Sequence, residues 1–254
     1  MILLLGGTTE ATSIARALAE EGLAVLLSTL TTISPRGKLP AQIQRRSGKL
    51  DAGDLIALIR DRKIRSVVDA THPYAAQISA NAWAACQQTG IPYIAYERPS
   101  TVMDAPGIHR AFDHDHAASL ACTLGRHLLL TIGVRNLLPY VTVARKHRMN
   151  LVARVLDHPA SVEACRRSGL NSEEIFRADG PFSVTENTAL ITRYHVDVLV
   201  TKDSGDAGGV DTKILAARNC GCRVVIVDRP LRPQAGYASL AALVEAVRTR
   251  CDSE

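Results

Sequence analysis

Residues 2–22, ILLLGGTTEATSIARALAEEG, decide the fold. The stretch opens on the apolar run Ile2, Leu3, Leu4, Leu5, a short buried strand by its composition, and Gly6-Gly7 ends it. Over residues 9–21 the apolar Ile14, Ala15 and Leu18 fall on one helical face, and Gly22 stops the helix. A second apolar run, residues 23–27, follows at once. Strand, glycine turn, helix and strand in this order make a βαβ unit, which implies a parallel sheet covered by helices.

The same alternation continues along the chain. Residues 29–50 are rich in Thr, Ser, Pro and basic groups and read as a loop or irregular segment. A helix is predicted around residues 55–59, a strand over 66–69, a helix over 77–89 closed by Gly90, and a strand over 93–96. The segment 97–108, ERPSTVMDAPGI, has two prolines, a glycine and no periodicity, and a domain boundary is expected there. Alternation then resumes, with strands expected over 128–132, 151–155, 196–201 and 223–227 and helices over 183–194, 212–219 and 240–250. The expectation is an α/β protein of two domains, residues 1–100 and 101–254, each a parallel sheet flanked by helices. Both halves have a strand running into Arg-Pro, at Glu97-Arg98-Pro99 and Asp228-Arg229-Pro230, a repetition short enough for chance to supply.

Composition narrows the function. The 254 residues are 46% hydrophobic and 22% charged, as in an ordinary globular protein with a sizeable core. Aromatics are only 4%, too few for base-stacking platforms, so no nucleic-acid partner is expected. The net charge of +5 is scattered and mostly arginine, which suits an anionic small molecule, although a solvated basic surface gives the same count. Cys86, Cys122, Cys165, Cys220, Cys222 and Cys251 form no C-x-x-C pair and follow no signal peptide, as expected of reduced thiols in a cytoplasmic protein. No apolar run approaches a membrane span. His114-Asp115-His116 has chelating spacing but no obvious further ligands, so no metal site is assigned.

In open parallel sheets ligands sit beyond the carboxyl ends of the strands. After the first strand, Gly6 and Gly7 let a backbone approach a phosphate, the following helix offers unpaired N–H groups, and Thr8, Thr9 and Glu10 add polar side chains. A full G-x-G-x-x-G is absent, and a tight turn that binds nothing has the same residues. After the second strand come Ser28, Thr29, Leu30, Thr31 and Thr32, with no acid or base before Arg36; this favours NADH over NADPH. The strand at 66–69 delivers Asp69, Thr71, His72 and Tyr74 to the same edge. Asp69 would brace the turn, Thr71 would cap the next helix or reach the cofactor, and Pro73 would enter that helix's first turn. His72 and Tyr74 are candidates to reach a ligand. In the second half, residues 198–213, VLVTKDSGDAGGVDTK, run from a buried strand through Lys202, Ser204 and Gly205 to a helix holding Lys213. Such a loop makes an anion-binding nest, although a solvated surface loop has the same composition.

Taken together, Gly6-Gly7-Thr8-Thr9-Glu10-Ala11, Asp69-Ala70-Thr71-His72-Pro73-Tyr74-Ala75, Glu97-Arg98-Pro99, Gly180-Pro181-Phe182, Thr201-Lys202-Asp203-Ser204-Gly205 and Asp228-Arg229-Pro230 resemble the precorrin-6A reductase family, from residue 2 to about residue 230. The resemblance implies two Rossmann-like domains with the active site in the cleft between them, and reduction of one double bond of a corrin-ring precursor by a nicotinamide cofactor in cobalamin biosynthesis. It implies a carboxylate-fringed tetrapyrrole as partner and no metal held by the protein. His72, Tyr74 and Lys202 become candidate catalytic residues. Gly6, Gly7, Thr8, Thr9, Glu10, Ser28 and Thr71 become candidate cofactor contacts, and Ser204, Gly205 and Lys213 candidate substrate contacts. The aerobic branch of the family pairs metal-free precorrin-6A with NADPH and carries a Gly-Phe-Gly-Gly block with a basic residue after the second strand. Here Ser47-Gly48-Lys49-Leu50 and threonines stand at those places, as in the anaerobic branch that pairs the cobalt complex with NADH.

Two other readings compete. A short-chain-type dehydrogenase needs Tyr-x-x-x-Lys, and no tyrosine has a lysine four residues on: Tyr74 is followed by Ile78 and Tyr140 by Ala144. A non-catalytic dinucleotide sensor needs only the first half, which leaves the Thr-Lys-Asp-Ser-Gly and Gly-Pro-Phe blocks without a purpose.

Overall fold

The computed structural model describes residues 1–31, 39–100, 102, 105–205 and 208–252. Arg36, Asp206 and parts of the 97–108 segment therefore lie outside the described residues. The chain divides into two units, one of residues Met1–Pro99 and Leu231–Glu254, the other of Ser100–Pro230.

The first unit begins β1 (Ile2–Leu5), α1 (Thr9–Glu20), β2 (Val25–Thr29), β3 (Ile43–Ser47), α2 (Ala52–Asp61), β4 (Ser66–Asp69), α3 (Ala76–Thr89), β5 (Tyr93–Ala95). Its parallel sheet has the order β3-β2-β1-β4-β5. β1 is central and wholly buried. Its side chains alternate between two layers, as strand geometry requires. Ile2 and Leu4 pack with Ile14 and Leu18 of α1, while Leu3 and Leu5 pack with Leu55 and Ile59 of α2 and Ala82 and Ala85 of α3. Helix ends follow local chemistry. Thr8 caps α1, Asp51 and Asp54 form a capping box on α2, and Gly90 ends α3 at φ +72°.

β3 corrects the expectation of an irregular 29–50 segment. Its sequence IQRRS buries only Ile43, so it is a polar edge strand without an apolar run. β2 lies two residues later than expected, because Leu23 N–H is spent on the Leu18 carbonyl in closing α1. That shift puts Ser28 and Thr29 inside the strand.

The second unit contains β6 (Ile108–Ala111), α4 (His114–Leu124), β7 (His127–Leu130), α5 (Leu138–Lys146), β8 (Asn150–Val155), α6 (Pro159–Arg167), a short 3₁₀ turn, β9 (Ile175–Arg177), α7 (Val184–Arg193), β10 (Val198–Lys202), α8 (Val210–Asn219) and β11 (Arg223–Val227). The sheet order is β6-β11-β10-β7-β8-β9, again all parallel. From its other edge, β9-β8-β7-β10-β11 repeats the succession β3-β2-β1-β4-β5 of the first sheet, with β6 added beyond. Glu97-Arg98-Pro99 and Asp228-Arg229-Pro230 thus follow topologically equivalent strands, β5 and β11. On one face Leu129, Val152, Leu199, Val224 and Ile226 pack under Leu190 and Ile191 of α7 and Ala216 and Ala217 of α8.

The last helix, α9 (Leu240–Asp252), corrects the assignment of residues 101–254 to a single domain. Its Leu243 and Val247, one helical turn apart, are fully buried against Leu4, Val68 and Ile94 of the first sheet. The chain is paired to that sheet before the helix begins, through a parallel bridge between Tyr96 and Tyr237.

Candidate functional site

Both sheets reverse strand order at an inner pair, β1/β4 in the first and β7/β10 in the second. The loops leaving such a switch point part in opposite directions and open a crevice at the carboxyl ends of the strands.

In the first unit the crevice is bounded by the Gly6-Gly7-Thr8 turn after β1 and residues 70–75 after β4. Gly6 and Gly7 are needed for different reasons. A Cβ on Gly6 would stand 2.8 Å from Leu27 Cδ1 and 2.9 Å from Ala11 Cβ, so this glycine lets helix and strand close. A Cβ on Gly7 would meet nothing within 4 Å, but Gly7 has φ +118°, a backbone that side chains resist. The exposed Gly7 therefore keeps open space at the N-terminus of α1, where backbone N–H groups suit a phosphate. The turn fits a dinucleotide pyrophosphate. Thr8 Oγ1 accepts the Ala11 N–H at 3.3 Å and donates to the Ala70 carbonyl at 3.1 Å, tying the two loops together. Thr9 Oγ1 donates to Glu10 Oε2 at 3.0 Å. Glu10 is held by Arg98, Nε to Oε1 at 2.7 Å and Nη2 to Oε2 at 2.8 Å. Burial disfavours the Glu10 charge, but its own backbone N–H, Arg98 and Thr9 outweigh burial and keep the carboxyl below its ordinary value.

Asp69 ends β4 with no exposed surface. Its Oδ1 accepts from Thr71 N at 3.0 Å and Thr71 Oγ1 at 2.6 Å, and its Oδ2 accepts from Tyr93 O–H at 2.6 Å. Arg232, from the returning C-terminal segment, places Nη1 3.2 Å from Oδ2 and donates to the carbonyls of Asp69 at 3.4 Å and Thr71 at 3.2 Å. Burial alone would raise the Asp69 carboxyl, yet Arg232 with Ser79, Thr71 and Tyr93 brings it below the usual aspartate value. Burial and the neighbouring Asp69 charge push the Tyr93 phenol up. Asp69 thus braces the turn as expected, with an unforeseen guanidinium on its far side. Thr71 is not a helix cap, because α3 starts at Ala76 behind the uncapped Ala75. Pro73 is buried before the helix rather than in its first turn. His72 Nδ1 accepts the Tyr74 N–H at 3.2 Å, which places the ring proton on Nε2. The two rings lie 5.7 Å apart, centroid to centroid.

Ser28, at the end of β2, takes a hydrogen bond from Arg46 Nη1 at 2.9 Å, and the same nitrogen donates to the Gly48 carbonyl at 3.3 Å. Arg46 sits on the edge strand β3, so it escaped notice with that strand.

In the second unit β10 delivers Lys202, and Asp203, Ser204 and Gly205 follow, all buried but Lys202, which is half-buried. Asp203 Oδ1 meets Arg229 Nη2 at 2.9 Å, Oδ2 accepts from Ser100 Oγ at 2.8 Å, and the Asp203 carbonyl accepts Arg229 Nε at 2.9 Å. An arginine thus braces an aspartate at the carboxyl end of a switch-point strand in both units, Arg232 on Asp69 at β4 and Arg229 on Asp203 after β10. Gly208 has no Cβ because Ser204 occupies that space. Burial, helped by Arg135, lowers the Lys202 pKa. The buried Lys213 donates from Nζ to the Gly208 carbonyl at 2.7 Å; burial, Arg154 and Lys202 bring its pKa down to about 8. Arg154, also absent from the sequence reading, is buried on β8. His114 Nδ1 lies 2.9 Å from the Tyr140 hydroxyl, and burial with the Lys202 charge drops its pKa to about 4. His116 stacks on Phe112 at 4.3 Å, so the two histidines of the chelate-like triplet face separate aromatic partners. No cluster of three or more His, Cys, Asp or Glu suited to a metal occurs among the described residues.

Of the candidate residues, Gly6, Gly7, Thr8, Thr9, Glu10, Ser28, Thr71, His72 and Tyr74 belong to the first unit, and Lys202, Ser204, Gly205 and Lys213 to the second. Among the described residues no helix is long and apolar enough to cross a membrane.

Comparison with known proteins shows the family and the fold. The family described as precorrin-6x reductase CbiJ/CobK matches residues 1–248. The cobalt-precorrin-6A reductase of Priestia megaterium is 32% identical over 231 residues, 91% of each chain. The precorrin-6A reductase of Rhodococcus erythropolis is 37% identical over 236 residues, 92% of this chain and 91% of its own. A solved structure of CobK precorrin-6A reductase aligns with TM-score 0.75 at 29% identity, covering 98% of this chain and 96% of that one.

Proposed function

The chain belongs to the precorrin-6x reductase CbiJ/CobK family, and from that membership we propose that it reduces one double bond of a corrin-ring precursor, precorrin-6A or its cobalt complex, to the 6B form in cobalamin biosynthesis. The carrying observation is the family match over residues 1–248. The reaction is an oxidoreduction of a CH–CH bond, and a nicotinamide dinucleotide supplies the hydride when bound. The protein's part is to position, to neutralise charge and to exclude water.

Residue by residue, the Gly6-Gly7 backbone and the N-terminus of α1 hold the pyrophosphate. Thr8 fixes that turn against Ala70 at 3.1 Å, and Thr9, Glu10, Ser28 and Thr71 line its approaches. His72, with its proton on Nε2, and Tyr74 present donors to the ring being reduced. Lys202, Ser204, Gly205 and Lys213 receive the substrate's acid groups, and Lys202 is a further candidate to hold or pass the proton that completes the reduction. We place the reaction in the cytoplasm, with the tetrapyrrole and the dinucleotide as its partners.

Within the family we assign the cobalt-precorrin-6A branch with NADH. Supporting this are Ser47-Gly48-Lys49-Leu50 in place of the aerobic glycine block and a β2 that ends in Ser28 and Thr29 without a charge. One observation favours the second reading, NADPH: Arg46 brings a guanidinium to Ser28, where a ribose 2′-phosphate would lie. A single assay tests both levels. Precorrin-6A and its cobalt complex are each offered with NADH and NADPH, and nicotinamide oxidation is followed. Turnover of the cobalt complex with NADH is expected. Turnover of neither tetrapyrrole with either nucleotide refutes the function, and a preference for NADPH that Arg46→Ala abolishes transfers the assignment to the second reading.

A further inference from the structure

Among the described residues of the second unit, Arg154 and Lys213 are buried cations with no carboxylate as a hydrogen-bond partner. Arg154 is 7% exposed and Lys213 8% exposed. The hydrogen-bond partners of both are neutral. Arg154 Nη1 donates to Asn187 Oδ1 at 2.8 Å, and its guanidinium carbon lies 4.0 Å from the centre of the Phe182 ring. Lys213 Nζ donates to the Gly208 carbonyl. The Phe182 carbonyl accepts from Thr212 Oγ1 at 3.1 Å and Asn187 Nδ2 at 3.4 Å, so the Gly180-Pro181-Phe182 turn ties the Arg154 platform to the helix turn carrying Lys213. Lys202 adds a third charge to the field felt by Lys213. The acid nearest in effect, Glu186, is spent elsewhere. Its Oε2 accepts from Ser183 N at 2.7 Å and Ser183 Oγ at 2.8 Å as the capping box of α7. Burying one cation without a counter-charge is costly, and burying several against one another costs more. A fold accepts that cost where an anion arrives to complete the set.

We infer that Arg154 and Lys213 form a carboxylate pocket that takes an acid arm of the tetrapyrrole substrate. This rests on the function proposed above and adds Arg154, held flat by Phe182 and Asn187, as a specificity-determining residue. A nucleotide phosphate shares the chemistry but suits the place less well. The helix after β7 begins at Leu138 with Pro139 beside it and no side-chain cap, so it offers fewer N–H groups than the glycine turn of the first unit.

The test uses uroporphyrin, a metal-free tetrapyrrole with acetate and propionate arms, and separately the dinucleotide, on Arg154→Met and Lys213→Met proteins of verified fold. Each substitution is expected to weaken uroporphyrin binding and raise the corrin-substrate KM by at least ~10-fold while dinucleotide affinity stays within ~2-fold. Unchanged uroporphyrin affinity overturns the pocket, and so does a loss confined to the dinucleotide. Should the variants not fold, the wild-type protein decides: uroporphyrin should raise its melting temperature and a porphyrin bearing N-methylpyridinium arms should not, and equal responses overturn the inference. A wild-type protein that binds uroporphyrin through these cations yet reduces no corrin precursor defeats the proposed function alone. One that reduces the precursor with both cations dispensable defeats the pocket alone.

Discussion

Arg232 Nη1 lies 3.2 Å from Asp69 Oδ2, and the same guanidinium holds the Asp69 and Thr71 carbonyls, although 163 residues separate the partners. The C-terminal segment thereby fastens the turn that carries His72. Asp69 has no exposed surface, so removing its cation leaves a buried charge. Arg232→Met is expected to cost roughly 3–5 kcal/mol in urea unfolding at neutral pH. The Arg232→Met, Asp69→Asn double variant should recover part of that loss. Because the folded-state pKa of Asp69 is lowered from 3.8, its contribution is complete above that value and is lost as pH falls through the folded pKa. Asp69→Asn should therefore flatten the acid side of the stability curve, and an acid limb identical to wild type would remove Asp69 from this role.

The two glycines of the first turn should separate by assay. Gly6→Ala drives a methyl group into Leu27 and Ala11 and should lower the melting temperature, at a cost of about 1–3 kcal/mol. Gly7→Val meets no atom but strains a backbone at φ +118°. It should fold, and lose at least ~10-fold in dinucleotide affinity by titration calorimetry. Full affinity in Gly7→Val would take the turn out of the cofactor site.

His72 is expected to act in turnover. Its Nδ1 accepts the Tyr74 N–H, so the neutral ring carries its proton on Nε2. His72→Ala should cut kcat by about 100-fold and leave dinucleotide affinity within a few-fold. His72→Gln, which keeps a donor, should restore part of the rate. Equal rates in the Ala and Gln variants would reduce His72 to a support of the turn.

Legibility in the sequence followed distance along the chain. β1 has the bounds read from composition, because a strand covered on both faces is an unbroken apolar run. The signature loops were legible because strand, turn and helix are neighbours. β3 and β9 were not, one being polar at an edge and the other only three residues long. α4, rich in alanine, and α5 and α6, with prolines in their first turns, lack the broad apolar stripe that announces a helix. Arg46, Arg154 and Arg232 find their partners 18, 33 and 163 residues away, and no local pattern among 30 basic residues selects them. Arg154 alone left a signal, a cation inside the apolar run Leu151-Val152-Ala153-Arg154-Val155.

Lys213 gives the carboxylate pocket a pH signature. Burial, Arg154 and Lys202 bring its pKa to about 8, whereas Arg154 itself falls only to about 10. Between these values the pocket loses the Lys213 charge and keeps that of Arg154. The kcat/KM for the acidic substrate, which reports the free enzyme, should decline as pH rises past about 8. Dinucleotide affinity, which we propose rests on the Gly6-Gly7 turn of the first unit, should not follow that decline. Stability should move the other way. A lysine with a depressed folded pKa penalises the fold while it is charged, so the penalty is present below about 8 and is relieved as pH rises from there toward the ordinary value of 10.5. Melting temperature should rise over that interval relative to Lys213→Met, in which the titrating group is gone. The remaining titration in Lys213→Met belongs to Lys202, whose pKa burial and Arg135 also lower. A Lys213→Met protein with the wild-type kcat/KM profile would show that the charge at this position never meets the substrate.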